Sequence, residues 1–336
     1  MYLTYYGLRE SPFELTSNPR FLFFTAQHRE ALSNLEYGLA SSKALTVLVG
    51  EAGTGKTTLL HAALESDRCL GVRTVLLSNP RLTRAEFVET LATQFELGAR
   101  AGQSKASLLE ALEAVLRERR RRGEITALVV DEAQSLSYEL LEEIRLLANM
   151  ETPTEKLLPL VLAGQPELTT RLNDPELRQL KQRVALRCQI GPLSLPETAA
   201  YISSRIRTAG GETTRLFTRE AVTLIHEHSH GIPRTISVIC DNALVHGFAV
   251  SKQPVTRELV LDVCRDFDLR GGPIAPATHD VPAEREPESP ARQAGRAGSG
   301  HADPQSTAPR GPVAAPTTEL EKTENRARVL NMLGLR

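Results

Sequence analysis

The distribution of hydrophobic residues divides the chain into an alternating part and a purely helical part. Between residues 44 and 190, short and almost continuously apolar runs alternate with stretches in which apolar residues recur every three or four positions. Such runs are typical of strands buried on both faces, and such stretches are typical of amphipathic helices. The pattern therefore predicts an α/β fold, a parallel sheet with helices on both faces. The predicted strands cover residues 44–49, 72–78, 126–130, 157–163 and 186–190.

The pattern changes after Gly191 and Pro192, where the strand-like runs stop. Residues 193–270 contain helical periods only. Ser194 with Glu197 three residues later predicts a capping box, and Thr218 and Thr256 are predicted to cap two further helices. We expect an α/β domain over 44–192 and a small all-α domain over 193–270.

The two ends of the chain differ from these domains. Residues 1–43 are rich in aromatic side chains near their start, which predicts a hydrophobic strap followed by a first helix; a base-stacking surface is the alternative. Residues 271–317 are rich in proline and glycine and contain no leucine or aromatic residue, so we expect a disordered linker. Residues 318–336 regain helical character and predict a short amphipathic helix, either frayed or docked on a partner.

Composition narrows the class of protein. With 336 residues, 41% of them hydrophobic, the chain is neither collagen-like nor wholly disordered. Its 40 basic and 41 acidic residues nearly cancel, so DNA binding would need a local patch. The arginine-rich run 117–122 is either such a patch or a solvated helix end. Four separated cysteines favour reduced thiols, and no apolar run approaches the length of a membrane-spanning helix, so we expect a cytoplasmic protein without a transmembrane segment of its own.

The strongest chemical signal follows the first predicted strand. Residues 50–57 fit the pattern G-x-x-x-x-G-K-[ST] between a strand and a helix, in which backbone N–H groups cradle a polyphosphate. Lys56 would reach the β- and γ-phosphates, and the Thr57 hydroxyl would ligate Mg²⁺. The predicted ATP-binding residues here are Gly50, Glu51, Ala52, Gly53, Thr54, Gly55, Lys56, Thr57 and Thr58.

Two carboxylates follow the third predicted strand. Asp131 would hold the Mg²⁺ together with Thr57, and Glu132 would orient and deprotonate the attacking water. Ligands bind at the carboxyl ends of strands in open α/β sheets, which is where both residues are expected.

A glutamine and several arginines are weaker candidates. Gln165 follows the fourth predicted strand and is either a turn residue or a hydrogen-bond donor to the water or the γ-phosphate. A guanidinium can neutralise charge that develops on the phosphoryl group during hydrolysis, although surface arginines are usually only solvated. Spacing alone does not select among the arginine candidates, which are Arg178, Arg183, Arg187 and Arg234.

Taken together, these motifs resemble the AAA+ ATPases. More closely, they resemble the ExeA/GspA-like group of general secretion pathways, which is related to TniB-like transposition ATPases. The resemblance covers roughly residues 1–268 and rests on the loop 50–57 and on residues 5–8, 11–13, 18–21, 28–32, 131–134, 164–168, 175–180, 182–183 and 231–234.

The resemblance implies further roles. Gln165 falls at the sensor 1 position, and Arg234 falls at sensor 2 on the helical domain, which would act as a lid. Arg183 falls near the arginine finger that acts on a neighbouring subunit's nucleotide, with Arg178 as the alternative; this implies a homo-oligomeric ring or filament. His28 and Arg29 fall near the adenine side of the site.

Three functions are consistent with these patterns. The first is a Mg²⁺-dependent ATPase that drives a conformational change in an envelope secretion or export assembly, held at the inner membrane through a partner. The second is an ATP-gated DNA-binding regulator of the transposition kind, which the charge balance does not favour. The third is a nucleotide-gated scaffold with little turnover.

Overall fold

Five strands form one sheet within the part of the chain that the computed structural model describes, residues 2–15, 19–78, 81–98 and 101–269. All neighbouring pairs are parallel. The strands are β1 (Leu45–Gly50), β2 (Val72–Leu77), β3 (Ile125–Val130), β4 (Leu160–Gly164) and β5 (Val184–Ile190), in the spatial order β2-β3-β4-β1-β5. The predicted α/β fold is confirmed.

The burial of each strand follows its place in the sheet. Every residue of β1 and β4 is buried, whereas residues of β2 and β5, at the two edges, are partly exposed. β4 begins later than predicted because the Leu157 amide donates to Met150 and Pro159 has no amide to donate. β5 begins earlier than predicted because its pairing with β1 already starts at Val184.

Helices cover both faces of this sheet. On one face, apolar residues of α2 (Ala26–Ala40) and α3 (Lys56–Leu64) pack on the strands. On the other face lie α4 (Arg84–Gln94), α5 (Lys105–Arg121), α6 (Tyr138–Leu147) and α7 (Pro166–Leu172). A short helix, α8 (Arg178–Lys181), precedes β5.

The remainder of the described chain is helical, as predicted. Its helices are α9 (Leu195–Thr208), α10 (Thr213–Leu216), α11 (Arg219–Ser229), α12 (Pro233–Ala249) and α13 (Arg257–Asp266). Ser194 and Glu197 form the predicted capping box, and Thr218 and Thr256 are the N-caps of α11 and α13.

The described parts of the N-terminal strap, residues 2–15 and 19–24, pack on these helices. The strap begins with α1 (Tyr2–Tyr5), and its residues Tyr6, Phe13 and Phe21 are buried in the same apolar core as α9, α11 and α12. The aromatic side chains of this segment therefore bind the strap to the helical part.

The predicted linker 271–317 and the predicted helix 318–336 lie outside the described residues. Within the described ranges, none of the helices combines the length and the hydropathy that crossing a bilayer requires.

Candidate active site

The phosphate-loop motif occupies the turn between β1 and α3. The Lys56 side chain is only 5% exposed and lies inside the curl of this turn, where its ammonium donates to the carbonyls of Gly50 (2.9 Å) and Glu51 (3.1 Å). The buried Thr54 hydroxyl donates to the Glu51 carbonyl at 2.8 Å and so closes the turn. The side chains of Lys56 and Thr54 therefore fix the shape of the loop. The first backbone N–H groups of α3 have no preceding helical turn to donate to, and such groups can bind an anion.

Burial acts directly on the charge of Lys56. Loss of solvent lowers the pKa of its ammonium below the ordinary lysine value, and the carboxylates of Glu132, Asp131 and Glu51 act in the opposite direction. The ammonium of Lys56 is the group here that attracts an anionic ligand such as a phosphate group, because it is poorly solvated and positively charged.

Thr57 and Asp131 meet at the carboxyl end of the sheet. The Thr57 hydroxyl donates to a carboxylate oxygen of Asp131 at 2.6 Å, and the Asp131 side chain also accepts from the Glu132 amide at 2.9 Å. Asp131 is 5% exposed, so its charge is poorly hydrated. Two hard oxygen donors at this distance fit a Mg²⁺ ion, which takes few protein ligands alongside phosphate oxygens.

Glu132 lies next to Gln165, although the two residues follow different strands. β4 lies between β3 and β1 in the sheet, so the residue that follows β4 stands between the carboxylates and the phosphate loop. The amide of Gln165 is 3.4 Å from Oε2 of Glu132, and the amide of Gln134 donates to the same oxygen. Glu132 itself has a left-handed backbone (φ 53°), which turns its side chain out of the strand direction and onto the wall of the cleft.

His28 supports the phosphate loop from the side of α2. Its Nε2 lies 3.2 Å from the Thr54 carbonyl, which can only accept, so Nε2 carries the proton and Nδ1 accepts from the Thr25 hydroxyl at 2.8 Å. Burial lowers the pKa of His28, and the neutral ring satisfies both contacts. His28 also lines a small, mostly apolar pocket with Phe21, Phe24, Thr58 and Pro233.

The helical part forms the wall of the cleft that faces the phosphate loop. The Arg234 amide, at the start of α12, donates to the Gly53 carbonyl at 3.3 Å, and its side chain lines a cleft of about 380 Å³ together with Gly53, Lys56, Thr57 and Glu132. The apolar pocket beside His28 shares Gly55 and Thr58 with this cleft. A polar cleft continuous with an apolar pocket matches the two chemical halves of a nucleoside triphosphate.

Sequence reasoning missed several residues of the cleft wall. Tyr201 and Arg205 of α9 and Ser237 of α12 all line it. The Arg205 guanidinium donates to the hydroxyl of Tyr201 (2.8 Å) and to the carbonyls of Pro12 and Glu14 in the strap. The aromatic residues near the start of the chain predicted a strap or a base-stacking surface and not a wall of this cleft; nothing in the local sequence marks Arg205.

Four predicted arginines lie away from this cleft. Arg187, in β5, is exposed and donates to the Thr169 hydroxyl at 3.0 Å. Arg29 is exposed and donates to the Phe24 carbonyl at 2.7 Å. Arg178 and Arg183 are exposed, and Arg183 directly precedes β5, at the edge of the sheet where the strands begin. The cleft lies at the other end of the strands, their carboxyl ends, roughly 20 Å away at the rise of an extended strand.

The arginine run at the end of α5 is occupied by contacts within the chain. Arg117, Arg120, Arg121 and Arg122 pair with the carboxylates of Glu113, Glu155 and Glu118. Arg121 and Arg122 share the carboxylate of Glu118, so these pairs offset part of the positive charge of the helix end.

Comparisons with known proteins agree with this geometry. The model of a family described as "AAA domain" matches residues 39–172, the span from the end of α2 through the phosphate loop, Asp131, Glu132 and Gln165 to the end of α7. Residues 39–172 are therefore similar to an AAA domain. The AAA resemblance inferred from the sequence is confirmed.

Two relatives extend the similarity beyond the AAA domain. General secretion pathway protein A of Aeromonas hydrophila is 39% identical over 251 residues, which is 74% of this chain and 45% of that protein. Mu-like prophage FluMu DNA transposition protein B of Haemophilus influenzae is 29% identical over 192 residues, which is 56% of this chain and 62% of that protein. The chain thus spans less than two thirds of the length of either relative.

Solved structures share the fold of the AAA domain and of the helices that follow it. The ORC2 protein of Aeropyrum pernix superposes with a TM-score of 0.56 at 15% identity, over 76% of this chain and 71% of that chain. Cdc6p of Pyrobaculum aerophilum superposes with a TM-score of 0.58 at 18% identity, over 76% of this chain and 70% of that chain. At this level of identity the likeness concerns the fold.

Proposed function

We propose that the chain is a Mg²⁺-dependent ATPase that hydrolyses ATP to ADP and phosphate in the cleft between the phosphate loop and α12. The observation that carries this proposal is the meeting of Lys56, Thr57, Asp131 and Glu132 at one edge of the sheet, with Thr57 and Asp131 2.6 Å apart. The A. pernix ORC2 protein, which has a similar fold, was solved in complexes with ADPNP and ADP, and this supports nucleotide binding by the present chain.

Different residues of the site bind the nucleotide, activate the water and neutralise charge. Lys56 and the N–H groups of the loop bind the β- and γ-phosphates, and the pocket beside His28 accepts the adenine. Glu132 takes the proton of the attacking water, while Gln165, which lies beside it, orients that water or the γ-phosphate. Thr57 and Asp131 would hold a Mg²⁺ ion, whose positive charge would offset the negative charge of the phosphate oxygens. Arg234 brings a further cation from α12 to the same cleft.

The position of Arg183 supports catalysis between subunits. Arg183 lies where the strands begin, and its own cleft lies where they end. Arg183 is therefore assigned to the nucleotide of a neighbouring copy, with Arg178 as the alternative arginine finger. A homo-oligomeric ring or filament follows from this assignment. In the cell, the similarity to general secretion pathway protein A supports a role in an envelope secretion or export assembly, on the cytoplasmic side and through partner proteins.

Steady-state phosphate release in the presence of Mg²⁺ and ATP tests the proposed activity. We expect turnover by the wild-type chain and a loss of roughly a hundredfold or more in Lys56→Ala and in Glu132→Gln. Gln94→Glu, a change at an exposed residue of α4, is the control that retains turnover. Equal turnover in all four proteins would reject the assignment of the site.

A further inference from the structure

Gln134 belongs to the motif that carries Asp131 and Glu132, but the proposed chemistry gives it no role. Its side-chain amide bridges the ends of two strands. Nε2 donates to Oε2 of Glu132 after β3, and Oε1 accepts from the backbone N–H of Gln165 after β4 at 3.1 Å. Gln134 is half-buried at this junction.

The orientation of this amide follows from its partners. The backbone N–H of Gln165 can only donate, so the oxygen of the Gln134 amide must face it and the nitrogen must face Glu132. The Gln165 side chain also approaches Oε2 of Glu132, but at 3.4 Å, near the limit for a hydrogen bond. Gln134 therefore makes the principal contact that holds the Glu132 carboxylate.

Gln134 is itself held from two other directions. The guanidinium of Arg171 donates to its backbone carbonyl at 2.6 Å and stacks on the Tyr138 ring, 4.9 Å from its centroid. Gly164, the last residue of β4, leaves the space that the amide fills, because a Cβ there would lie 2.8 Å from Oε1 of Gln134. The amide thus has little freedom to move, which makes it a firm support for a flexible glutamate.

We propose that Gln134 is a positioning residue for Glu132: its fixed amide holds the carboxylate in the direction from which it takes a proton from the attacking water. This inference rests on the proposed ATPase function. A glutamate at the wall of an open cleft has several rotamers, and a general base acts only within hydrogen-bond reach of its proton. Without Gln134, the carboxylate would spend most of its time in other directions.

The substitution Gln134→Glu separates this role from a purely structural one. It is isosteric and keeps an oxygen that accepts from the Gln165 N–H, but it replaces the donor to Glu132 by a second carboxylate. We expect kcat for ATP hydrolysis to fall about tenfold or more, since a hydrogen bond to a charged group is lost. The KM for ATP and the dissociation constant of Mg·ATP should change less than kcat does, although repulsion between the two carboxylates should lower the melting temperature.

Two comparisons complete the experiment. Gln134→Leu removes both hydrogen bonds of the amide and should lower kcat at least as much as Gln134→Glu. The exposed Gln94→Glu makes the same chemical change as Gln134→Glu and should leave kcat unchanged. If Gln134→Glu is as active as the wild type while Gln134→Leu is impaired, the amide only supports the end of β4 and the inference is wrong. A rise of kcat in Gln134→Glu would also overturn it, because the amide would then restrain the base.

Arg171 provides an independent check by a double-mutant cycle. Arg171→Met removes the donor to the Gln134 carbonyl and should lower kcat moderately on its own. Added to Gln134→Glu, it should lower kcat much less than it does alone, because residues in one network are not additive. Full additivity would mean that Arg171 does not act through Gln134. The proposed function fails by a different result, unchanged turnover in Lys56→Ala and Glu132→Gln, so the two failures are distinguishable.

Discussion

The Thr57 hydroxyl donates a hydrogen bond of 2.6 Å to the Asp131 carboxylate, although 74 residues separate them in the chain. The contact joins the first turn of α3 to the end of β3, two strands away from β1 in the sheet. It makes the phosphate loop and the pair of acidic residues parts of one site.

Asp131→Asn tests the metal-binding half of this site. The amide oxygen can still accept from Thr57, but the negative charge is lost. We expect the affinity for ATP in the presence of Mg²⁺ to fall about tenfold or more, and the affinity measured with a chelator to change little. Asp262→Asn on α13 is the control. An equal loss with and without Mg²⁺ would show that Asp131 does not act through the metal.

Gly53→Ala tests the contact between the phosphate loop and α12. Gly53 has a φ of +81°, and a Cβ on it would lie 2.9 Å from the Cβ of Arg234. We expect weaker ATP binding together with a loss of about 1–3 kcal/mol in the free energy of unfolding.

A second glycine separates the two causes of that effect. Gly123 has nearly the same φ, +79°, and a Cβ on it would meet nothing within 4 Å. Gly123→Ala therefore carries the backbone strain without the clash, and it should lower stability while leaving ATP affinity intact. Equal ATP affinity in both variants would contradict a role for the contact between Gly53 and Arg234 in nucleotide binding.

Arg205→Lys tests the attachment of the N-terminal strap. A lysine cannot reproduce the donors to Tyr201, Pro12 and Glu14 or the stacking on Phe21, whose ring centroid is 5.1 Å from the guanidinium carbon. We expect the free energy of unfolding to fall by about 2 kcal/mol and ATP affinity to fall with it. Arg207→Lys, at an exposed position of the same helix, should change neither quantity.

A single tryptophan can report on the same region. The chain contains no tryptophan, so Phe23→Trp introduces one fluorophore beside the Tyr201 ring, from whose centroid that of Phe23 is 5.8 Å away. Because residue 23 also lines the apolar pocket, Mg·ATP should change the emission of this variant. The change should disappear when Lys56→Ala is added, and its persistence there would place the nucleotide elsewhere.

Acidification should destabilise the fold through its buried histidines. Burial lowers the pKa of His28 and of His226 in the folded state, so below the ordinary histidine pKa the unfolded chain binds protons that the folded chain does not. The free energy of unfolding is therefore greatest above the unfolded-state pKa and falls as the pH is lowered from about 7.5 to about 5.5. Urea unfolding should give a smaller pH slope for His28→Gln than for the wild type. Identical slopes would contradict the neutral state of His28.

Sequence alone was sufficient for the features that depend on local pattern. The buried runs predict β1 and β3 because strands covered on both faces are continuously apolar, and the glycine and lysine spacing predicts the loop at Lys56. Strand ends were less certain: β4 begins after Pro159, where backbone hydrogen bonds rather than hydropathy decide the boundary.

Contacts between distant segments could not be predicted from the sequence. The partnership of Gln134 with Gln165 depends on β4 lying beside β3, and the contacts of Arg205 depend on how the strap crosses α9. Neither set of contacts produces a periodic pattern of apolar residues in the local sequence. Conversely, the five arginines of 117–122 form a conspicuous cluster in the sequence, but in the fold all five pair with carboxylates.

Calorimetric titration with Mg·ATP tests the central claim most directly, because it measures whether the cleft at Lys56 binds the nucleotide at all. We predict a saturable heat of binding for the wild-type chain, retained in Glu132→Gln, whose phosphate-binding loop is intact, and abolished in Lys56→Ala. The absence of heat with the wild type, or an unchanged isotherm in Lys56→Ala, would contradict the account.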